Sequence, residues 1–223
     1  MITVHHLNNS RSQRVLWLLE EMGLEYRVQR YQRDAKTMLA PPELKAVHPL
    51  GKSPVLTEGP ATVAESGAII EYLLDRPGGE RLRPAAGTPE HRRYTYWLHY
   101  AEGSAMTPVL LKLIFSRLPK QPMPFFIKPV ARAIAGGALK NFVDPQIRLH
   151  LDYMEGELAK SEWFAGSQFT AADIQMSFPI EAAGARGGLD QRWPRLQDFL
   201  RRIHARPAYQ KALQVGGPFE LLS

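Results

Sequence analysis

Val47 to Asp75 reads VHPLGKSPVLTEGPATVAESGAIIEYLLD, and this run decides the fold. It parses as loop, strand, tight turn, strand and helix. Pro54 directly precedes the apolar pair Val55-Leu56. Proline has no N–H to give to a ladder, so in this place it implies an edge, a bulge or a cis turn. A cis turn would leave the backbone of Lys52 and Ser53 open to an extended ligand. Glu58-Gly59-Pro60 then separates Val55-Leu56 from Thr62-Val63, which predicts an antiparallel hairpin. Glu65-Ser66-Gly67 opens a helix with Ile69, Ile70, Leu73 and Leu74 as its apolar positions. Ser66 is expected as its N-cap, and the free N–H groups beyond it favour an anion. Gly51-Lys52-Ser53 is not a nucleotide-binding loop: that motif needs glycine where Ala46 stands, and a helix where Pro54 and a β-rich run follow.

Upstream, Ile2, Val4 and His6 alternate as a short strand. Ser10-Arg11-Ser12-Gln13 matches a capping box, with Val15, Leu16, Leu18, Leu19 and Met22 as the apolar face behind it and Gly23 as C-cap. Ser12 is expected to face solvent within that helix. Glu25 to Tyr31 reads as a second strand, parallel to the first because a helix crosses between them. A helical Leu39–Ala46 segment, broken by Pro41-Pro42, leads into the deciding run. The order βαβ-αββα is a thioredoxin-like sheet, which places one compact domain at 1–77.

Downstream, residues 78–87 carry the prolines and glycines of a linker, and from residue 88 to 223 the pattern is all helical. Thr88-Pro89-Glu90 caps a helix expected to run to about Arg117, where Leu118-Pro119 stops it. Four prolines mark 119–129 as loop, with a helix opening near Lys128. Leu139 to Lys160 reads as a long helix with Val143, Ile147, Leu151, Met154 and Leu158 on one face. Thr170-Ala171-Ala172-Asp173 starts another, Trp193-Pro194 the next and Arg206-Pro207 the last. The fold class is therefore α/β followed by all-α.

The chain has 223 residues, no cysteine, a net charge of +6 and a pI near 9.6. Such a balance attracts anions. The basic residues are scattered, so neither a nucleic-acid partner nor a membrane span is expected. Met1 to Asn9 lacks the features of a signal peptide, which makes the cytoplasm the expected compartment. The histidines show no ligand spacing, and no metal is expected.

HPLGKSPVL followed by ESGAIIEYLL resembles the glutathione-binding half of cytosolic glutathione transferases. SRSQRVLWLLEE, YQRDAKTMLAPPELKAVHPLGKSPVL, YAEGS and DIQMSFPIEAA extend the likeness over nearly the whole chain, closest to the fungal Gtt branch and its bacterial relatives. The resemblance implies a thioredoxin-like domain, a helical domain and a two-fold homodimer. It implies a cis Ser53-Pro54 beside the cysteinyl backbone of glutathione and a Glu65-Ser66 pair holding the γ-glutamyl end. Lys52 falls to the glycyl end. Glutathione enters as co-substrate, and the activity implied is conjugation to small electrophiles, with peroxide reduction as an accompanying reaction. Glutathione-dependent disulfide reduction and a non-catalytic glutathione-binding module are the alternatives.

A free thiol has a pKa of about 8.5, and lowering it by about two units requires ~2.7 kcal/mol of preferential thiolate stabilisation. The sources available are a hydroxyl or amide donor, a cation and the N-terminus of the first helix. All meet at Asn9-Ser10-Arg11. Serine-type relatives place their hydroxyl at a position that matches Asn9, with Ser10 beside it, while the tyrosine-type position carries His5 and His6. Ser10 is favoured, because a hydroxyl donates to sulfur while its oxygen accepts from the helix; a pure capping role is the plainer alternative. Adjacent His5 and His6 point to opposite strand faces. Tyr96, Tyr100 and Met106 are the expected lining of the electrophile pocket.

Overall fold

A computed structural model describes residues 1–34, 37–186, 188–219 and 221. Ala35 and Lys36 of the quoted run, and residues 187, 220, 222 and 223 of the expected helical domain, lie outside the described residues.

The first strand, β1 (Ile2–Leu7), pairs in parallel with β2 (Tyr26–Tyr31) through α1 (Ser12–Met22), in the register Ile2↔Tyr26 to Leu7↔Tyr31. After α2 (Glu43–Val47), β3 (Val55–Glu58) and β4 (Ala61–Ala64) form the expected antiparallel hairpin. β3 also pairs antiparallel with β1, giving the order β2-β1-β3-β4. The Ser53-Pro54 bond at the mouth of β3 is cis. α3 (Ser66–Leu74) follows, with Ile69, Ile70, Leu73 and Leu74 buried.

Two local expectations are corrected. The Ser10–Gln13 capping box does not form. Ser10 Oγ accepts from the Ser12 N–H at 3.3 Å, and Gln13 uses its own N–H on the Ser10 carbonyl. The helix therefore begins at Ser12, and Ser12 is wholly buried rather than facing solvent, because its side chain turns back under β1. Ser66 is the first helical residue, not the cap. Glu65 holds the cap position at φ 71° and ψ 128°, a strained conformation for a side-chain-bearing residue.

Every residue of α1 from Ser12 to Leu19 is buried, since the sheet covers one side and helices the other. Trp17 packs edge-on against Tyr209 of α10 (Pro207–Gly216), and Arg206 pairs with Glu21 at 2.6 Å.

The long helix expected after Thr88 is α4 (Pro89–Tyr100), a π-helical turn at Ala101–Ala105 and α5 (Met106–Arg117). Thr88 Oγ1 caps it by accepting from the His91 N–H at 3.1 Å. α6 (Lys128–Ala138) opens where expected and passes through a second π turn at 139–143 into α7 (Asp144–Leu158). Val143, Ile147, Leu151, Met154 and Leu158 are its buried face. α8 (Ala171–Ala185) runs through the middle of the helices and is buried almost end to end. Asp173 holds its start, accepting from the Thr170 N–H at 2.8 Å and the Phe164 N–H at 2.9 Å. Burial raises its carboxyl to about 6, although these bonds pull the other way. α9 (Pro194–His204) lies against α7 and α8. Among the described residues no helix is long and apolar enough to cross a membrane.

Candidate active site

A cleft of ≈ 780 Å³ lies where the end of β1, the turn at Pro54 and the start of α3 meet α5 and α8. Asn9, Ser10, Arg11, Lys52, Ser53, Pro54, Glu65, Ser66 and Met106 all line it. The loop into α1 is held from below: Asn9 adopts a left-handed φ of 51°, and the Arg33 guanidinium donates to the carbonyls of Asn8, Asn9 and Met38.

Ser10 and Ser53 are joined at the base of the cleft. Ser10 is 4 % exposed, so its hydroxyl meets the cleft at one small face. Its Oγ lies 2.8 Å from Ser12 Oγ and 3.4 Å from Ser53 Oγ. Ser53 donates to the His5 carbonyl at 2.9 Å and accepts from the Leu7 N–H at 3.3 Å. Ser12 Oγ in turn lies 2.8 Å from His6 Nδ1. Burial pushes the His6 imidazole down to about 4; the Gly216 carbonyl opposes this and the charge of Arg30 adds to it. The histidines do point to opposite faces, His5 bonding Tyr31 and Thr57 instead.

Sequence reasoning missed the cleft's electrostatic centre. Glu102, on the π turn, binds Arg11 Nε through both carboxylate oxygens at 2.9 and 3.2 Å and also accepts from Arg14. Arg14 is buried inside α1, donating to the Gln175 carbonyl at 2.5 Å and to Ser66 Oγ at 3.2 Å. One guanidinium thus ties α1, α3, the π turn and α8 together. Phe178 lies against both arginines, 5.0 and 5.3 Å from ring centre to guanidinium carbon. Burial alone would raise the Glu102 carboxyl; the Arg14 and Arg11 charges outweigh it and hold the group below the usual carboxylate range. Arg14, directly before the apolar VLWLL stretch of α1, and the acid in YAEGS were the signals present in the sequence.

Tyr96 and Tyr100 are not in the cleft. They stack on one another at 5.5 Å and turn toward α7, where Tyr100 Oη bonds His150 Nδ1 at 2.5 Å and Tyr96 meets Tyr153 edge-on. Met106 stands on another face beyond the π turn, and the α5 residues on the cleft side are Met106, Leu110, Leu113 and Arg117, at i, i+4, i+7 and i+11. Phe178 and Arg186 of the α8 end face them across the cleft.

Residues 1–75 match the glutathione S-transferase N-terminal domain and residues 120–207 the glutathione S-transferase C-terminal domain. The chain belongs to the glutathione S-transferase family. Among its relatives is glutathione S-transferase 3 of Schizosaccharomyces pombe, 36% identical over 96% of this chain and 87% of that protein. Glutathione S-transferase 1 of Saccharomyces cerevisiae is 33% identical over 98% of each chain. In three dimensions the transferase resembles the crystal structure of a glutathione S-transferase from Actinobacillus pleuropneumoniae, with a TM-score of 0.79 and 34% identity over 99% of this chain and 95% of that one. The family uses glutathione as co-substrate.

Proposed function

We propose that the cleft binds glutathione and delivers its thiolate to a small electrophile. The observation that carries this reading is the convergence of the Ser10 hydroxyl, the Pro54 turn and the N-terminus of α3 on one cleft. Glutathione has a thiol, an extended backbone and a γ-glutamyl carboxylate, spaced to meet those three features in that order. The free N–H groups at the start of α3 and the Ser66 hydroxyl suit the carboxylate, Glu65 suits the amino group beside it, and Lys52 suits the glycyl carboxylate.

Ser10 is proposed to act on sulfur. Its oxygen already accepts the Ser12 N–H, and when Ser12 also donates to it, the Ser10 proton is left with only the long 3.4 Å bond to Ser53 Oγ and is free to turn to a thiolate in the cleft. Ser12 donates to Ser10 when His6 Nδ1 carries a proton and donates to Ser12; with the other tautomer Ser12 turns to His6, and Ser10 to Ser12. Asn9 and Arg11 flank the same point. Arg11 is shared with Glu102, which lowers the potential it offers sulfur. Attack on an aryl chloride then forms the C–S bond and expels chloride, with the thiol proton lost to solvent.

The test is a conjugation assay with glutathione and 1-chloro-2,4-dinitrobenzene, run beside peroxide and disulfide substrates. Turnover of the chloride supports the reading; turnover of disulfides alone refutes conjugation as the activity. A cytoplasmic homodimer is the proposed setting. The exposed apolar side chains of Tyr96, Leu149 and Tyr153 on α4 and α7 support a covering partner, and a monomeric mass in solution at micromolar concentration would contradict it.

A further inference from the structure

The end of the cleft away from Ser10 carries positive charge that glutathione does not use. Arg117 closes the α5 face, about 16 Å along the helix from Met106 by a rise of about 1.5 Å per residue. Arg186, just past the end of α8, reaches the cleft at the level of Val109, between Arg117 and Arg11 and close enough to feel the charge of both. Along α5 from Met106 to Arg117 the cleft side is apolar, with Met106, Leu110 and Leu113, and Phe178 of α8 adds to it. Arg186 is partly buried, and of its five donors one reaches a protein acceptor, the Val109 carbonyl at 3.4 Å. Burial lowers its pKa, and the charges of Arg117 and Arg11 lower it further, so its surroundings add positive potential rather than balancing it. Among the described residues no carboxylate pairs with either arginine, whereas Arg11 and Arg14 share Glu102. Leu110 and Arg117 are exposed at the mouth of the cleft while Phe178 is buried, so an incoming anion meets Arg186 beside an apolar, partly desolvated wall that strengthens the attraction.

We propose that the second substrate is an elongated apolar electrophile ending in a carboxylate, with Arg117 and Arg186 as the pair that receives that end. The inference rests on the glutathione reading above, because the electrophilic carbon must sit at Ser10 for its far end to reach them. A guanidinium offers a planar fork that matches a carboxylate, which a lysine in the same place would not. Apolar walls with charge confined to the far end select for a body without polar groups and an acid at its tip.

Conjugates of glutathione test this without turnover. S-(5-carboxypentyl)glutathione and S-(9-carboxynonyl)glutathione, each compared with its primary amide, differ in charge but not in shape. Calorimetric titration of the wild type is expected to show the acid binding at least about tenfold tighter than the amide at one of these lengths. Arg117→Gln and Arg186→Gln are each expected to reduce that ratio, and the double variant to bring it to about one. Equal binding of acid and amide at both lengths, or a preference that survives the double variant, overturns the inference. Failure of glutathione itself to bind overturns the glutathione reading and this inference with it.

Discussion

Ser12 Oγ lies 2.8 Å from His6 Nδ1 and 2.8 Å from Ser10 Oγ, so a buried histidine on β1 is joined to the cleft through one hydroxyl. Ser12 is the hinge of that chain. Ser12→Ala removes the hydroxyl that joins Ser10 to His6, the donor to Ser10 when His6 Nδ1 carries the proton and the acceptor from Ser10 when it does not, and leaves the buried His6 Nδ1 unsatisfied. The variant is expected to lose about 1–2 kcal/mol of stability by chemical denaturation. Its bound glutathione thiol is expected to titrate higher than in wild type where His6 carries its proton on Nδ1 and lower for the other tautomer, while the dissociation constant changes little. An unchanged thiol titration in a folded Ser12→Ala protein would remove the chain from the account.

His6 and Asp173 pull stability in opposite directions as pH falls. The His6 pKa is about 4 folded against about 6.5 unfolded, so the unfolded chain binds the extra proton between these values and stability drops on acidification through that window. The Asp173 pKa is about 6 folded against about 3.9 unfolded, so here the folded chain binds the extra proton and stability grows on acidification from pH 6 toward 4. Each effect is worth on the order of 3 kcal/mol at full titration. Asp173→Asn leaves His6 unopposed, and its stability is expected to fall more steeply than wild type between pH 6 and 4.5. Urea midpoints at three pH values in this range decide it; parallel curves would mean that Asp173 titrates normally.

Most of the architecture was legible before any coordinates. Pro54 with its hairpin, Gly23, Thr88-Pro89 and the Thr170–Asp173 start are local signals, and each is used where its chemistry predicts. The site was legible in part. Ser10, Lys52, Ser53, Pro54, Glu65 and Ser66 lie within short runs whose spacing carries over directly, and all reach the cleft. Arg14 beneath the cleft and Glu102, Phe178 and Arg186 in its lining come from separate parts of the chain, and only tertiary packing brings them together. Tyr96 and Tyr100 were misplaced because an i, i+4 aromatic pair shows that two rings share a face but not which neighbour that face packs on; here it packs on α7. Ser12 was misplaced because the helix starts one residue later than a Ser10 cap predicts and its hydroxyl turns back to His6.

The correction at the electrophile wall has its own test. Leu110→Ala is expected to raise KM for an apolar electrophile several-fold, since it removes a lining side chain. Tyr96→Phe is expected to leave kcat and KM unchanged, because its ring packs on Tyr100 and Tyr153 outside the cleft. A KM that responds to Tyr96 and not to Leu110 would restore the aromatic wall.

Arg14 holds the cleft rather than touching substrate. Arg14→Met strands Ser66 and the Gln175 carbonyl and removes one partner of Glu102. Because Glu102 is 33% exposed and keeps Arg11, the expected cost is at the lower end for a broken buried pair, about 3 kcal/mol. Arg14→Lys is expected to rescue little of it, lacking the fork that reaches three partners. Thermal and denaturant unfolding of the two variants check this, and a lysine variant as stable as wild type would contradict it.

Ser66 separates binding from activation. Ser66→Ala is expected to weaken glutathione binding by ~1–3 kcal/mol through loss of a charge-assisted bond. The pH dependence of the bound thiol should stay as in wild type, since Ser66 lies at the γ-glutamyl end of the proposed pose. Calorimetry and thiol titration on the same variant distinguish the two effects, and a shifted titration without weaker binding would reverse the assignment.

Ultraviolet absorbance of the thiolate, followed against pH in the glutathione complex, tests the central claim most directly. The wild-type midpoint is expected ~1–2 units below the free thiol value of about 8.5. Ser10→Ala is expected to raise it by about a unit with little change in glutathione affinity, provided that the variant stays folded. A wild-type midpoint at the free value, or one midpoint shared by wild type, Ser10→Ala and Asn9→Ala, would contradict the assignment of Ser10 as the group that activates sulfur.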